Sequence, residues 1–104
     1  MKLVTLFSTA RSEDEAVKII NTLVSKRLIA CGNIIQEARS IYRWKGHVCD
    51  ETESLMIVKT RAENLPKVKA AFKKLHSYEC PELVALEITD GLPNYLKWIS
   101  DNTK

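Results

Sequence analysis

Residues 34–60, IIQEARSIYRWKGHVCDETESLMIVKT, constrain the fold more than any other stretch of the chain. They read as two long strands joined at Trp44-Lys45-Gly46-His47, with Gly46 free to take the positive φ of a tight turn. Alternation puts Tyr42 and Trp44 on one face of this ribbon and Ile41 and Arg43 on the other. Leu55-Met56-Ile57-Val58 is apolar on both faces and predicts a sandwiched end, whereas residues 50–53 are polar on both. Arms of roughly 11 to 13 residues span roughly 35 to 40 Å at about 3.3 Å per residue. A compact domain of this size has a radius of gyration of about 13 Å and a width of about 35 Å. The ribbon therefore overhangs its own core. It exposes backbone edges and the aromatic surface of Tyr42 and Trp44, which favours pairing with another copy through Ile41, Tyr42 and Trp44. The alternative is a ribbon bent or bulged back within one monomer.

The flanking segments set the architecture. Residues 2–8 read as a first strand. Ser12 and Glu15 then form a capping box, N-cap and N3, for a helix with the stripe Ala16, Ile19, Ile20, Leu23 and Val24. Acidic residues fill its first turn, and Lys26 and Arg27 lie near its end, as the helix dipole favours. Gly32 and Asn33 predict a bend or bulge. A second helix over residues 62–76 must hold Pro66 in its first turn. Leu65, Val68, Phe72 and Leu75 form its inward stripe, and Lys67, Lys69, Lys73 and Lys74 a solvated face. Residues 76–82 make a polar connection, in which Pro81 holds Cys80 extended. Residues 83–88 form a fourth strand, and Tyr95, Leu96, Trp98 and Ile99 a short last helix capped by Asn94 or Pro93. The order β-α-β-β-α-β plus a terminal helix is the split βαβ plan. It predicts a single α+β domain over residues 1–104, one antiparallel sheet with two helices on one face. The other face needs a cover, and little besides the last helix is left to supply it, which again points to self-association.

Charge and composition exclude several partners. The 104 residues are 45% hydrophobic and 28% charged, ordinary for a globular protein. The net charge of +3 is mild and both signs are interspersed, which argues against nucleic acid. No apolar run approaches the ~18 residues of a membrane span. The opening residues 1–7 are too short for a signal peptide. Three cysteines, Cys31, Cys49 and Cys80, fit a reducing cytoplasm, as buried thiols or as donors to soft metals.

His76, Tyr78, Glu79 and Glu82 fall within seven positions of one loop. Imidazole and carboxylate suit copper(II) or zinc(II). The competing reading makes His76 a helix-end cap, its partly protonated ring matched to the dipole. Cys31 is either a soft copper ligand or a small core residue before a glycine. His47 and Cys49 lie two apart on one strand face beyond the turn, where several copies could meet around an ion. Lys59 ends an apolar strand, where a charge needs a partner such as Glu79 or Glu82. The bland alternative is a covered stem with a wet tip. Catalytic signatures are missing from the sequence: it has three glycines, no phosphate loop and no C-x-x-C or H-x-x-x-H spacing.

Five stretches together resemble one family, the CutA divalent-cation-tolerance proteins. They are RLIACGNI at residues 27–34, SIYRWKG at 40–46, IVKT at 57–60, LHSYECPE at 75–82 and NYLKWI at 94–99. The resemblance implies a ferredoxin-like subunit and a homotrimer similar to the PII signal proteins, in which hairpins of neighbours pair. It implies tolerance of copper and other divalent cations, and no enzymatic reaction. It adds weight to a metal site of His76, Cys31 and Glu79. Two departures thin that site: Ser8 stands where some members have a thiol, and His76-Ser77 replaces His-Pro, with Leu75 in place of a second histidine.

The reading that follows is a cytoplasmic homotrimer binding copper or another divalent cation, with itself and the ion as partners, and no nucleic acid or membrane. A PII-like alternative senses a small anion or metabolite in inter-subunit clefts formed by Lys59, Tyr78, Glu82 and Trp44. A third is a structural hub that displays a surface to a protein partner.

Overall fold

A computed structural model describes residues 2–104, so Met1 lies outside the described residues. Strand β1 (Leu3–Ala10) leads to helix α1 (Glu13–Ser25). The long pair β2 (Cys31–Trp44) and β3 (His47–Arg61) follows. A 3₁₀ turn (Ala62–Asn64) opens α2 (Leu65–Leu75), and β4 (Val84–Glu87) and α3 (Pro93–Asp101) complete the chain. The sheet order is β2-β3-β1-β4 and every pairing is antiparallel. This is the split βαβ arrangement that the element order predicts.

Side-chain alternation divides the sheet into two unequal faces. Val4, Leu6, Met56 and Val58 point to one side and pack with Ile19, Leu23, Val68 and Phe72 of α1 and α2. The four helical residues lie at the spacings that the apolar stripes predict. Val24 does not join them and is exposed. On the other side α3 covers only one end, where Leu3, Ala30 and Ile99 form a second small core. The rest of that face is open: Ile35 is 49% exposed, Val84 52% and Leu86 56%. Register places Val84 beside Phe7, Phe7 beside Ile57, and Ile35 beside Leu55, so these side chains form one apolar surface.

The helix ends follow local chemistry. Ser12 caps α1 by accepting a hydrogen bond from the Glu15 backbone N–H at 3.2 Å. Pro66 falls in the first turn of α2, where its missing N–H costs nothing. Leu92, not Asn94 or Pro93, is the N-cap of α3, and Pro93 takes the first helical position. Arg27 closes the region after α1 with φ of 59°.

The hairpin arms have 14 and 15 residues, longer than the sequence pattern predicts. Strand β1 ends where Ala10 faces Ser54, so residues 47–53 of β3 project past the sheet with β2 as their partner. The molecule is accordingly elongated, 44 × 25 × 22 Å. Its turn is two residues long, with Trp44 facing His47 and both Lys45 (φ 49°) and Gly46 (φ 82°) left-handed. That is the geometry matched to right-handed strand twist. No atom lies within 4 Å of where a Gly46 side chain would start, so substitution is penalised through the backbone alone. Gly46→Val is expected to cost about 1–2 kcal/mol, read as a lower denaturation midpoint, and to loosen assembly in light scattering. An unchanged midpoint and particle mass would contradict this.

The bulge is not at Gly32-Asn33. Gly32 sits in regular pairing opposite Val58, and its role is contact: an added Cβ would lie 2.6 Å from the Ile20 side chain. The register instead slips between Ile35 and Ala38, where Glu37 takes φ of 60° without being glycine.

Candidate functional site

The projecting half of the hairpin and the 76–82 connection enclose a cleft of about 660 Å³. Three contacts hold the connection against the ribbon. Ser8, fully buried at the end of β1, donates its hydroxyl hydrogen to the Glu82 carbonyl at 2.6 Å. The Tyr78 hydroxyl donates to Glu53 Oε2 at 2.6 Å. Lys45 at the turn reaches within 3.6 Å of the Glu79 carboxylate. Tyr42, Trp44, Glu53, Tyr78, Glu79 and Glu82 line the cleft, with Arg39 and Cys80 also in its wall.

Carboxylates outnumber cations among the lining residues, Glu53, Glu79 and Glu82 against Arg39. Burial, then the adjoining Glu53 carboxylate, push the Tyr78 hydroxyl well above the usual phenol range. Tyr42 donates to Glu51 Oε1 at 3.0 Å, and that bond pushes its pKa up to about 12. Arg39 is matched by two bonds to Asp50, at 2.9 and 2.6 Å. This bidentate pair holds the Asp50 carboxyl below its ordinary value.

His76 is the C-cap of α2 and its side chain is fully enclosed. Nε2 lies 2.7 Å from the Thr9 carbonyl, which can only accept, so this nitrogen carries the hydrogen. Nδ1 accepts from the Tyr78 backbone N–H at 3.1 Å. Glu15 Oε1 stands 3.3 Å from the same nitrogen. Both ring nitrogens are thus engaged by the protein, and the ring fastens three elements where the sequence pattern offered a ligand. Glu15 does not complete the capping box. Its carboxylate accepts from the Ser77 backbone N–H at 3.0 Å and from the Ser77 hydroxyl at 2.8 Å. Burial alone would raise the Glu15 carboxyl. The bonds from Ser77, with His76 and Arg11 nearby, outweigh it and leave the group below its ordinary range.

The other candidate residues separate into different places. Cys31 faces Lys59 across the β2–β3 ladder, four residues along β3 from Leu55, which pairs with Thr9 beside His76. The Cys31 sulfur lies 3.8 Å from the Tyr95 hydroxyl, and the Lys59 ammonium 5.9 Å above the Tyr95 ring. Lys59 is therefore not in the cleft with Tyr78, Glu82 and Trp44, and its neighbour is an aromatic ring instead of Glu79 or Glu82. Glu79 is open to solvent. Among the described residues no three metal-binding side chains converge, so His76, Cys31 and Glu79 do not form one centre within the chain. All three cysteines are free, and none is fully buried. Ile41, Tyr42 and Trp44 are exposed. Sequence reasoning missed Glu53, only 6% exposed; its signal was a carboxylate two residues before an apolar strand run.

An antiparallel split βαβ sheet with an overhanging hairpin and a cleft beside it defines a ferredoxin-like α+β protein. The family model described as CutA1 divalent ion tolerance protein matches residues 4–102. The chain belongs to that family. It is similar to the divalent-cation tolerance protein CutA of Thermus thermophilus, 46% identical over 95 residues that cover 91% of this chain and 92% of that protein. A solved structure of a Thermus thermophilus divalent cation tolerance protein superposes with a TM-score of 0.93 at 45% identity, all of each chain being covered. Mouse protein CutA is 38% identical over 98 residues, 94% of this chain but 55% of that protein, so the chain spans about half the length of that relative. The family is named for tolerance and not for a reaction.

Proposed function

We propose that the protein confers tolerance by binding copper or another divalent cation as a cytoplasmic homotrimer. Its metal donors are pooled between copies and not gathered within one chain. The observation that carries this reading is that Cys31, Cys49 and Cys80 are free and reachable while no three ligating groups converge among the described residues. Accessible thiols suit soft copper and a reducing compartment. The apolar sheet face and the overhanging ribbon support assembly. Glu79, open to solvent, is an oxygen donor available at the same assembly level.

Anaerobic titration with copper(I), the soft form that accessible thiols select and to which a reducing compartment brings copper(II), followed by calorimetry, tests the proposal. Wild type is expected to bind, and Cys31→Ser to weaken binding by about tenfold or more, in line with the preference of copper for thiolate. Cys31→Ser titrating like wild type would overturn the assignment.

A small-ligand reading draws on the cleft itself. Its anionic form loses support, because Lys59 stands apart from the cleft and the lining cation Arg39 is already paired.

A further inference from the structure

Two neighbours of His76 make opposite demands on one nitrogen. The ring gives its Nε2–H to the Thr9 carbonyl at 2.7 Å, which leaves Nδ1 with a single lone pair. The Tyr78 backbone N–H, 3.1 Å away, uses that lone pair as its acceptor. Glu15 Oε1, 3.3 Å from the same atom, is itself an acceptor and calls for a hydrogen there. The neutral ring serves Tyr78 and sets a carboxylate against its lone pair. The doubly protonated ring serves Glu15 and Thr9 and leaves the Tyr78 N–H without its acceptor. One proton therefore exchanges one bond for another. The side chain is fully enclosed, so the exchange is between groups of the protein. Imidazole is the side chain that ordinarily changes charge between pH 5 and 8.

The charges around the ring come from several elements. Glu15 of α1 is the one in contact, and Arg11, ahead of that helix, stands 4.0 Å from its carboxylate. Strand β1 has no titratable side chain. Glu53 of β3 reaches the ring only through Tyr78, whose hydroxyl it accepts and whose ring centre lies 4.8 Å from the imidazole. Lys73 and Lys74 precede the ring on α2, and Glu79 and Glu82 follow it, all four exposed. Glu15 holds Ser77 in either state, accepting from its N–H at 3.0 Å and its hydroxyl at 2.8 Å. Burial opposes the Glu15 charge, but these bonds, with His76 and Arg11, keep the carboxyl below its ordinary value of 4.5 and ionised at about pH 5. Ser77 is thus the fixed point of the connection, and Tyr78 is the first residue that can come loose.

We propose that His76 is a proton-operated latch on residues 78–82: the neutral ring holds the Tyr78 backbone, and the protonated ring gives its Nδ1–H to Glu15 and lets that backbone go. Tyr78, Glu79, Cys80 and Glu82 form one wall of the cleft, so release loosens that wall. Two bonds further along still tether it, Tyr78 to Glu53 and Ser8 to the Glu82 carbonyl. The latch needs neither a metal nor a second copy, so it stands apart from the copper reading.

Amide hydrogen exchange of the full chain, resolved by NMR at pH 8 and pH 5 in EDTA, tests the proposal. Rates are expressed as protection against the unstructured rate at each pH. Tyr78 protection is expected to fall about tenfold or more on going to pH 5, the loss of one hydrogen bond. Ser77, bonded to Glu15 throughout, is expected to keep its protection within about twofold. His76→Gln cannot take up a proton and is expected to abolish the difference between the two pH values at Tyr78. If that variant fails to fold, Glu15→Gln serves instead, and the fall is expected to move about one pH unit lower because the carboxylate that favours the charged ring is gone. Equal Tyr78 protection at both pH values in wild type would overturn the latch. An equal fall in His76→Gln, an unmoved fall in Glu15→Gln, or a matching fall at Ser77 would do the same.

Discussion

Leu86→Lys is expected to turn the proposed trimer into single chains of 11.8 kDa, seen by light scattering at micromolar concentration. Leu86 lies on the edge strand β4 and is more than half exposed in the isolated chain, on the face shared by Phe7, Ile57 and Val84. Covering a leucine is worth about 1.5–3 kcal/mol, and a three-fold assembly gains this once per copy. A lysine at the same position forfeits that gain and adds the cost of removing an ammonium from water without a partner. The chain itself should tolerate the change, because all four residues of β4 are exposed and the main core lies on the opposite face. Retained far-ultraviolet circular dichroism with a threefold lower mass is the expected pair of results. A variant with the same mass as wild type would exclude this face as the contact, and a wild type that is itself 11.8 kDa would remove the trimer.

His76→Ala is expected to lower folding stability by about 2–4 kcal/mol while leaving copper affinity unchanged. The loss has three sources: the Thr9 carbonyl loses its donor, the Tyr78 N–H loses its acceptor, and a ring whose side chain is fully enclosed leaves a void. Chemical denaturation gives the first number and calorimetry the second. Stability within about 0.5 kcal/mol of wild type would deny the ring its fastening role, and a large loss of copper affinity would return it to the metal site. The neighbouring carboxylate adds a pH dependence with a definite sign. Glu15 has a folded pKa below its ordinary 4.5, so its contribution to stability is present above that value. It is lost as the pH falls through the depressed folded pKa. Glu15→Gln should therefore flatten the acid limb of a stability profile below pH 4.5, and an unaltered limb would mean that the Ser77 bonds contribute nothing.

Much of this architecture was legible in local chemistry. The Ser12 cap, the stripes of α1 and α2, Pro66 in a first turn and the Gly46 turn each rest on neighbours a few residues away, which a pattern can see. The overhang was legible from length alone. What escaped was set across the fold. The bulge falls at Glu37 because the ladder needs one additional residue there, and glycine is not required to supply the positive φ. Gly32 marks a close approach to Ile20 from another element, which sequence spacing cannot reveal. His76 was visible as a residue able to bind metal or to cap, and only its burial against Thr9, Tyr78 and Glu15 distinguishes a fastener from an open donor. Lys59 needed a partner, but register places the Tyr95 ring beside it where a carboxylate had been the natural choice.

The irregularity at Glu37 has an effect well beyond its own turn of backbone. Before it, odd-numbered residues of β2 stand opposite odd-numbered residues of β3, as Ile35 does with Leu55; after it, even numbers oppose odd, as Ala38 does with Glu53. One surplus residue has shifted the phase of the whole outer arm. Tyr42 and Trp44 thereby share the side of the ribbon that carries Glu51 and Glu53. Without that half-period offset the two aromatics would look out from the reverse side, and the cleft would lose both rings at once.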